Sequence, residues 1–191
     1  MDALEFLPTL ADRSIDMIFT SPPFKDEDVI GDYWKFYDIF FKQAMRVASK
    51  AVIIIHSATK LNTLITTYPP KRTMVWGKGI SQYSYRWNPI LLYQISDEYK
   101  INKYIWGDAF GIPSVNGKTK VHKYQDPLVL YYTILKMFKD CNLVLDPFMG
   151  SGTTGVACKI LGKDFIGIDS DFISYDSAMR RITDEQRIGV L

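Results

Sequence analysis

The run LVLDPFMGSGTTG, from Leu143 to Gly155, passes from an apolar strand pattern through a turn into the start of a helix. Leu143 to Leu145 is apolar, Asp146-Pro147 ends it, and a glycine-bounded turn comes next. Thr153 to Ala157 then reads as the first turns of a helix. A strand that stops at an acid, followed by a glycine turn that opens a helix, is how α/β proteins cradle nucleotide-like ligands. The spacing Gly150-x-Gly152-x-x-Gly155 matches the dinucleotide fingerprint, with Asp169 closing the next strand-like run, Asp164 to Ile168.

Beyond this run, only about one more strand–helix unit fits between Gly155 and Leu191, the last helix being Asp171 to Ile182. The other central strands must come from residues before Leu143. Ile15 to Thr20 reads as a short apolar strand that stops at Ser21-Pro22-Pro23-Phe24. Two prolines cannot continue a sheet ladder, so this is a stiff loop at a strand's carboxyl end, the edge where open α/β sheets bind ligands. Asp2 to Leu10 suggests a short helix weakened by Pro8, and Lys25 to Asp32 a polar loop. Tyr33 to Ala48 carries apolar residues at helical spacing. Ala51 to Ile55, ending at His56, looks like a central strand buried on both faces. Arg72 to Trp76 and Pro89 to Ile95 read as further strands, separated by a glycine-, cation- and aromatic-containing loop. Pro127 to Phe138 reads as a helix with proline in its first turn.

Alternating strands and helices predict an α/β fold: a Rossmann-like, mostly parallel sheet with helices on both faces, in circularly permuted order. The expected layout is a single domain, residues 1–191. Residues 1–95 carry the proline loop, 96–124 an irregular insert, and 125–191 the glycine turn.

The 191 residues carry a net charge of +2, so no global basic field points to nucleic acid, and any such surface must be local. Lys100, Lys103, Lys118, Lys120 and Lys123, interleaved with Tyr99, Tyr104, Trp106 and Tyr124, suit phosphate contact and base stacking, or equally a solvated rim. Cys141 and Cys158 match no metal-ligand spacing and read as reduced, packed thiols. An acidic N-terminus and the lack of a membrane-length apolar run lead to the expectation of a soluble intracellular protein, with no membrane partner.

The early TSPPF, the late DPFMGSGTTG and the H-x-x-Q-x-P segment (His122, Gln125, Pro127) together resemble the permuted amino-group DNA methyltransferases. The resemblance covers nearly the whole chain and implies a cytoplasmic enzyme of prokaryotic or phage-like, restriction-modification context. It implies S-adenosylmethionine as cofactor and double-stranded DNA with a flipped base as substrate. Within that family a Ser-Pro-Pro-Tyr/Phe tetrad goes mainly with N4 of cytosine and Asp-Pro-Pro-Tyr mainly with N6 of adenine, so cytosine is preferred here.

The implied catalytic residues are Ser21, Pro22, Pro23 and Phe24. Ser21 Oγ and the Pro22 carbonyl are placed to accept the amine hydrogens, and Phe24 to stack on the base. The implied cofactor-binding residues are Asp146, Phe148, Gly150, Ser151, Gly152, Thr153, Asp169, Asp2 and Gln125. Asp146 is placed to meet the methionine ammonium, amides near Gly150 and Gly152 its carboxylate, and Asp169 the ribose hydroxyls. Asp2 corresponds to the acid that contacts the adenine amine; the family usually has a strand and a glycine before that acid, and here Met1 precedes it. Residues 187–191 (RIGVL) are an alternative source of that edge. Asp126 stands where the family commonly has a lysine. No metal is implied. Residues 76–124 hold the only candidate sequence reader, which leaves a homodimer or a specificity partner open. Two other readings remain: a nicotinamide-dependent oxidoreductase, and a non-catalytic member that binds DNA or cofactor.

Overall fold

Ile15–Thr20 (β1) is an interior strand of the sheet, paired on both sides and with five of its six residues inaccessible. The computed structural model describes residues 1–24, 31–79, 87–94, 107–115, 120 and 125–183. The sequence expectations for His122, Tyr124, Tyr99, Tyr104, Trp106, Lys100, Lys103, Lys118, Lys123, most of the 77–87 loop, residues 25–30 and the 187–191 edge lie outside these.

The other elements among the described residues are Ala3–Phe6 (α1), Tyr33–Val47 (α2), Ala48–Ile55 (β2), Leu61–Thr67 (α3), Arg72–Gly77 (β3), Trp87–Gln94 (β4), Ala109–Gly111 (β5), Leu128–Lys136 (α4), Leu143–Asp146 (β6), Thr153–Ile160 (α5), Asp164–Gly167 (β7) and Phe172–Thr183 (α6). Seven described strands form one sheet in the order β5-β3-β4-β2-β1-β6-β7. The block β2-β1-β6-β7 is parallel, and β3 pairs parallel with β5, whereas β4 runs antiparallel to both β2 and β3. The permuted α/β architecture expected from the sequence is the one observed, with one antiparallel strand set inside it.

Each face of the sheet has its own core. Met17 and Phe19 point to the side covered by α4 and α5, where Leu130, Ile134, Ala157 and Cys158 pack. Ile18, Val52 and Ile54 point to the side covered by α2, where Tyr37, Phe40 and Ala44 pack. This alternation reflects the period of two along a strand. Truncating one of the large side chains among these to alanine, such as Ile54, would cost about 2–5 kcal/mol.

Several boundaries differ from the sequence pattern for identifiable reasons. β2 starts at Ala48, where α2 ends, because Ser49 Oγ donates to the Ile15 carbonyl (3.1 Å) and Lys50 pairs with Asp16 (2.9 Å). Its polar first turn hid it. Pro127 caps α4 from outside, with ψ 130°, and the helix begins at Leu128. Asp2–Leu10 splits at Pro8 into α1 and a 3₁₀ turn, Leu7–Thr9. α3, rich in β-branched residues, and the three-residue β5 had no readable period. No helix among the described residues is long and apolar enough to cross a membrane.

Candidate active site

β1 delivers Ser21 to the sheet's carboxyl edge, and the chain there is aimed by residues distant in sequence. Tyr33, at the start of α2, donates its hydroxyl to the Pro23 carbonyl at 3.0 Å. That same hydroxyl lies 2.6 Å from His56 Nε2, at the end of β2. His56 Nδ1 accepts from the Ser57 amide (2.7 Å), so the ring proton belongs on Nε2 and is donated to Tyr33. Burial pushes the imidazole pKa down to about 3, which keeps this tautomer neutral. The Phe24 ring leans on His56 with 5.1 Å between centroids. His56, an isolated histidine at a strand end, thus becomes part of a clamp with Tyr33 that sets the loop's path.

The glycine turn is fastened mainly to itself and to residues C-terminal to it. The Gly150 amide donates to Asp169 Oδ2 (2.9 Å), and the Gly152 amide to the Met149 carbonyl (2.7 Å). These two amides are therefore already used, and Asp169 braces the turn. Gly150 and Gly152 have φ of 47° and 71°, which side chains other than glycine adopt at a cost. A Cβ on Gly152 would lie 2.9 Å from Ala178 Cβ, and one on Gly155 would lie 2.5 Å from Ile182 Cδ1. Both glycines are required for the packing of α5 against α6. Arg181, on α6, donates one nitrogen to the Ser151 carbonyl and to Thr153 Oγ1, both at 2.9 Å.

Asp146 proves to be an internal brace. It is 3% exposed. Its carboxylate accepts from Thr20 Oγ1 (2.6 Å), Thr154 Oγ1 (2.5 Å) and the Phe148 amide (3.1 Å). Thr20 ends β1 and Thr154 opens α5, so one carboxylate ties the two motif-bearing segments together. Burial outweighs these hydrogen bonds and raises its pKa to about 6. The ammonium contact expected of Asp146 would have to share oxygens already engaged in the fold.

A cavity of about 540 Å³ lies along this edge, within the usual size of small-molecule sites. Ser21, Pro22, Pro23 and Phe24 line it together with Asp2, Gln125, Asp146, Phe148, Gly150, Ser151, Thr153 and Asp169. Among the implied catalytic and cofactor-binding residues, Gly152 alone is absent from the lining, in keeping with its packing against α6. Asp2 comes to the rim because the Met1 nitrogen donates to the Asp169 carbonyl (3.1 Å) and Asp2 caps α1 through the Leu4 amide (2.7 Å). The sequence reading missed Tyr131, Lys78, Trp76 and Asn88, which also line the cavity. Tyr131 had a readable signal as a polar-tipped aromatic near the start of a helix that packs on β1. No group of three or more metal-type ligands occurs among the described residues. Cys141 and Cys158 are buried free thiols, and burial raises Cys158 to about 12.

The chain is similar to curated bacterial enzymes. It is 26% identical over 241 residues to the type II methyltransferase M.HinfI of Haemophilus influenzae, covering 95% of this chain and 66% of that protein. It is 36% identical over 100 residues to M2.LlaDCHI of Lactococcus lactis subsp. cremoris, covering 52% of this chain and 37% of that one. The chain thus spans from about a third to just under two thirds of the curated relatives it matches. Among solved structures, M1.HpyAVI in complex with SAM superposes with a TM-score of 0.74 at 23% identity, covering 95% of this chain and 96% of the other. The cytosine-N4-specific PvuII DNA methyltransferase gives 0.75 at 16% identity, covering 97% and 89%. These two likenesses establish the fold. The family model described as DNA methylase, of N6/N4 type, matches residues 15–179, and by that match this chain belongs to the N6/N4 DNA methylase family.

Proposed function

We propose that this chain transfers a methyl group from S-adenosylmethionine to the exocyclic amine of a DNA base, with N4 of cytosine preferred and N6 of adenine the alternative. The observation that carries the reading is the meeting of Ser21–Phe24 and the glycine turn in one cavity. The donor set suits the cofactor. On this reading Asp169 keeps lone pairs for ribose hydroxyls, Asp2 accepts from the adenine amine, and Phe148 offers an apolar wall backed by Phe36 and Phe40. Ser151, Thr153 and Gln125 present polar groups to the amino-acid portion.

When bound, the cofactor supplies a methyl group made electrophilic by its sulfonium. The protein's task is to aim a weak nucleophile, because the amine lone pair is delocalised into the base ring. Ser21 Oγ and the Pro22 carbonyl accept the two N–H groups and turn the lone pair toward the methyl carbon. The double proline and the Tyr33–His56 clamp hold those acceptors before the substrate arrives. Phe24 stacks on a base flipped from the duplex. Sequence choice would come from residues between 76 and 124, with a second copy of the chain or a specificity partner sharing the duplex.

The test is transfer of labelled methyl to duplex DNA, followed by nucleoside analysis. N4-methylcytosine is the expected product, N6-methyladenine selects the alternative, and no transfer defeats the proposal. Titration calorimetry should show preference for S-adenosylmethionine over NAD, and the reverse order would restore the oxidoreductase reading. Ser21→Ala should lower turnover by about 100-fold while leaving cofactor affinity nearly intact, whereas Asp169→Ala should mainly weaken cofactor binding.

A further inference from the structure

Tyr131 stands between the two motifs, and aiming the amine leaves it without a task. It is 3% exposed, and its ring stacks on Phe19 of β1 with centroids 4.6 Å apart and planes 21° from parallel. That packing fixes where the phenol points. Its hydroxyl donates to Asp126 Oδ2 at 2.9 Å, and the Ser21 side chain is a further hydrogen-bonding neighbour of the same hydroxyl. Ser21, Tyr131 and Asp126 all line the cavity. Asp126 is anchored in turn at the glycine turn, since Thr153 Oγ1 donates to its carbonyl at 3.4 Å.

We propose that Ser21, Tyr131 and Asp126 form a proton relay that drains the target amine, with Tyr131 and Asp126 as positioning residues acting through Ser21 and Asp126 as the terminal acceptor. The inference rests on the methyl-transfer reading. The amine nitrogen uses its lone pair to form the new N–C bond, and the C–S bond of the sulfonium donor breaks with its electron pair left on sulfur. The nitrogen now carries one proton too many. That proton passes to Ser21 Oγ, the Ser21 hydroxyl proton passes to Tyr131 Oη, and the Tyr131 proton passes to Asp126 Oδ2. Charge and atoms balance with a neutral methylated amine, a thioether and a protonated Asp126, which then loses its proton to water through its edge on the cavity.

The charges around the carboxyl suit a group that takes and returns a proton near neutrality. Burial raises Asp126 to about 6, opposed by the Tyr131 hydrogen bond from α4 and by Lys78, beyond β3, and Lys120. Burial likewise raises Tyr131 well above its usual value, helped by Asp126 and by Asp146 on β6, so the phenol passes a proton without standing ionised. Lys78 is itself lowered, burial coming first, with Asp126 holding it up and Lys120 pressing it down.

The relay is read by two measurements on the full chain. With S-adenosylmethionine and duplex DNA, wild-type kcat should rise with pH to a plateau above about 6, because the acceptor must be a carboxylate. Asp126→Asn and Tyr131→Phe should each lower kcat about 100-fold and abolish that limb, with KM for donor and DNA changed less than about threefold. Asp126→Glu should restore part of the rate and the pH dependence. In the ligand-free protein, carbon-13 NMR of labelled aspartate should show two carboxyls titrating near 6, those of Asp146 and Asp126, of which one disappears in Asp126→Asn. That one should move upward in Tyr131→Phe, which removes a hydrogen bond to the charged form. A wild type that methylates while both variants keep its kcat and pH profile overturns the relay alone. So does an Asp126 that titrates at the ordinary carboxylate value. A wild type that transfers no methyl overturns the function, and the relay with it.

Discussion

The turn residues Gly150, Ser151 and Thr153 and the loop Ser21 to Phe24 face the same cavity, but they are immobilised by different means. The glycine turn bonds within itself and to Asp169 and Arg181, all within about thirty residues of chain. The proline loop takes its local stiffness from two fixed φ angles. Its aim comes from Tyr33 and His56, which belong to other elements. The turn's partners therefore lie on β6, α5, β7 and α6 and the segments joining them, while the loop's path depends on α2 and β2. On the proposed function, the turn's share of the cofactor site depends on nearby chain, and the acceptor geometry depends on the tertiary fold.

The contrast can be tested most forcefully at Gly152. Gly152→Ala forces a Cβ into a left-handed backbone and against Ala178, which is backbone-anchored and cannot yield. About 3 kcal/mol of stability should be lost, seen as a lower urea midpoint, with weaker cofactor binding. An unchanged midpoint would show that α6 does not press on the turn as described. Next comes Arg181→Met, which removes two hydrogen bonds to the turn and leaves the Ser151 carbonyl without that donor. A loss of about 2 kcal/mol should come with a raised KM for the methyl donor and little change in kcat at saturation.

At the proline loop the split should invert. Tyr33→Phe deletes the donor to the Pro23 carbonyl and the acceptor for His56. Stability should fall by about 1 kcal/mol, while kcat falls about tenfold and donor affinity, measured by calorimetry, stays within error. If donor affinity falls instead, the two halves of the site are not mechanically separate.

The clamp also carries a pH dependence. His56 has its pKa lowered to about 3 in the fold, burial being the main cause, against about 6.5 when unfolded. Its contribution is complete above about 6.5 and is lost progressively as pH falls toward the folded value, because only the unfolded chain then binds the proton. Asp146 and Asp126 are raised and so act with the opposite sign, with their contributions lost as pH rises through about 6. Comparing the wild type with His56→Gln cancels those carboxyls. The stability gap between the two proteins should shrink between pH 7.5 and pH 5 in urea titrations.

The elements legible in the sequence are those whose period reports burial. α2 shows one apolar stripe, β1 and the apolar half of β2 show continuous runs, and β6 with its glycine turn shows a strand, a break and a helix start. α3 and β5 were illegible because one is built from poor helix formers and the other is too short to have a period. The antiparallel β4 was readable as a strand but not in direction, because side-chain alternation is the same either way.

Residue order alone was enough to assign the strand ends at Ser21 and Asp146 to one ligand-binding edge. Local chemistry, two prolines and a glycine turn, leaves the backbone there few conformations. What the side chains at that edge are free to do was settled by packing. Asp146 spends its oxygens on Thr20 and Thr154, Gly152 makes room for Ala178, and His56 stays neutral behind Tyr33. Tyr131 reaches Asp126 because α4 is stacked on β1. Each of these outcomes depends on burial and on partners far apart in the chain. The glycine turn and the proline loop could be named from their residues, but the partners that complete them could not.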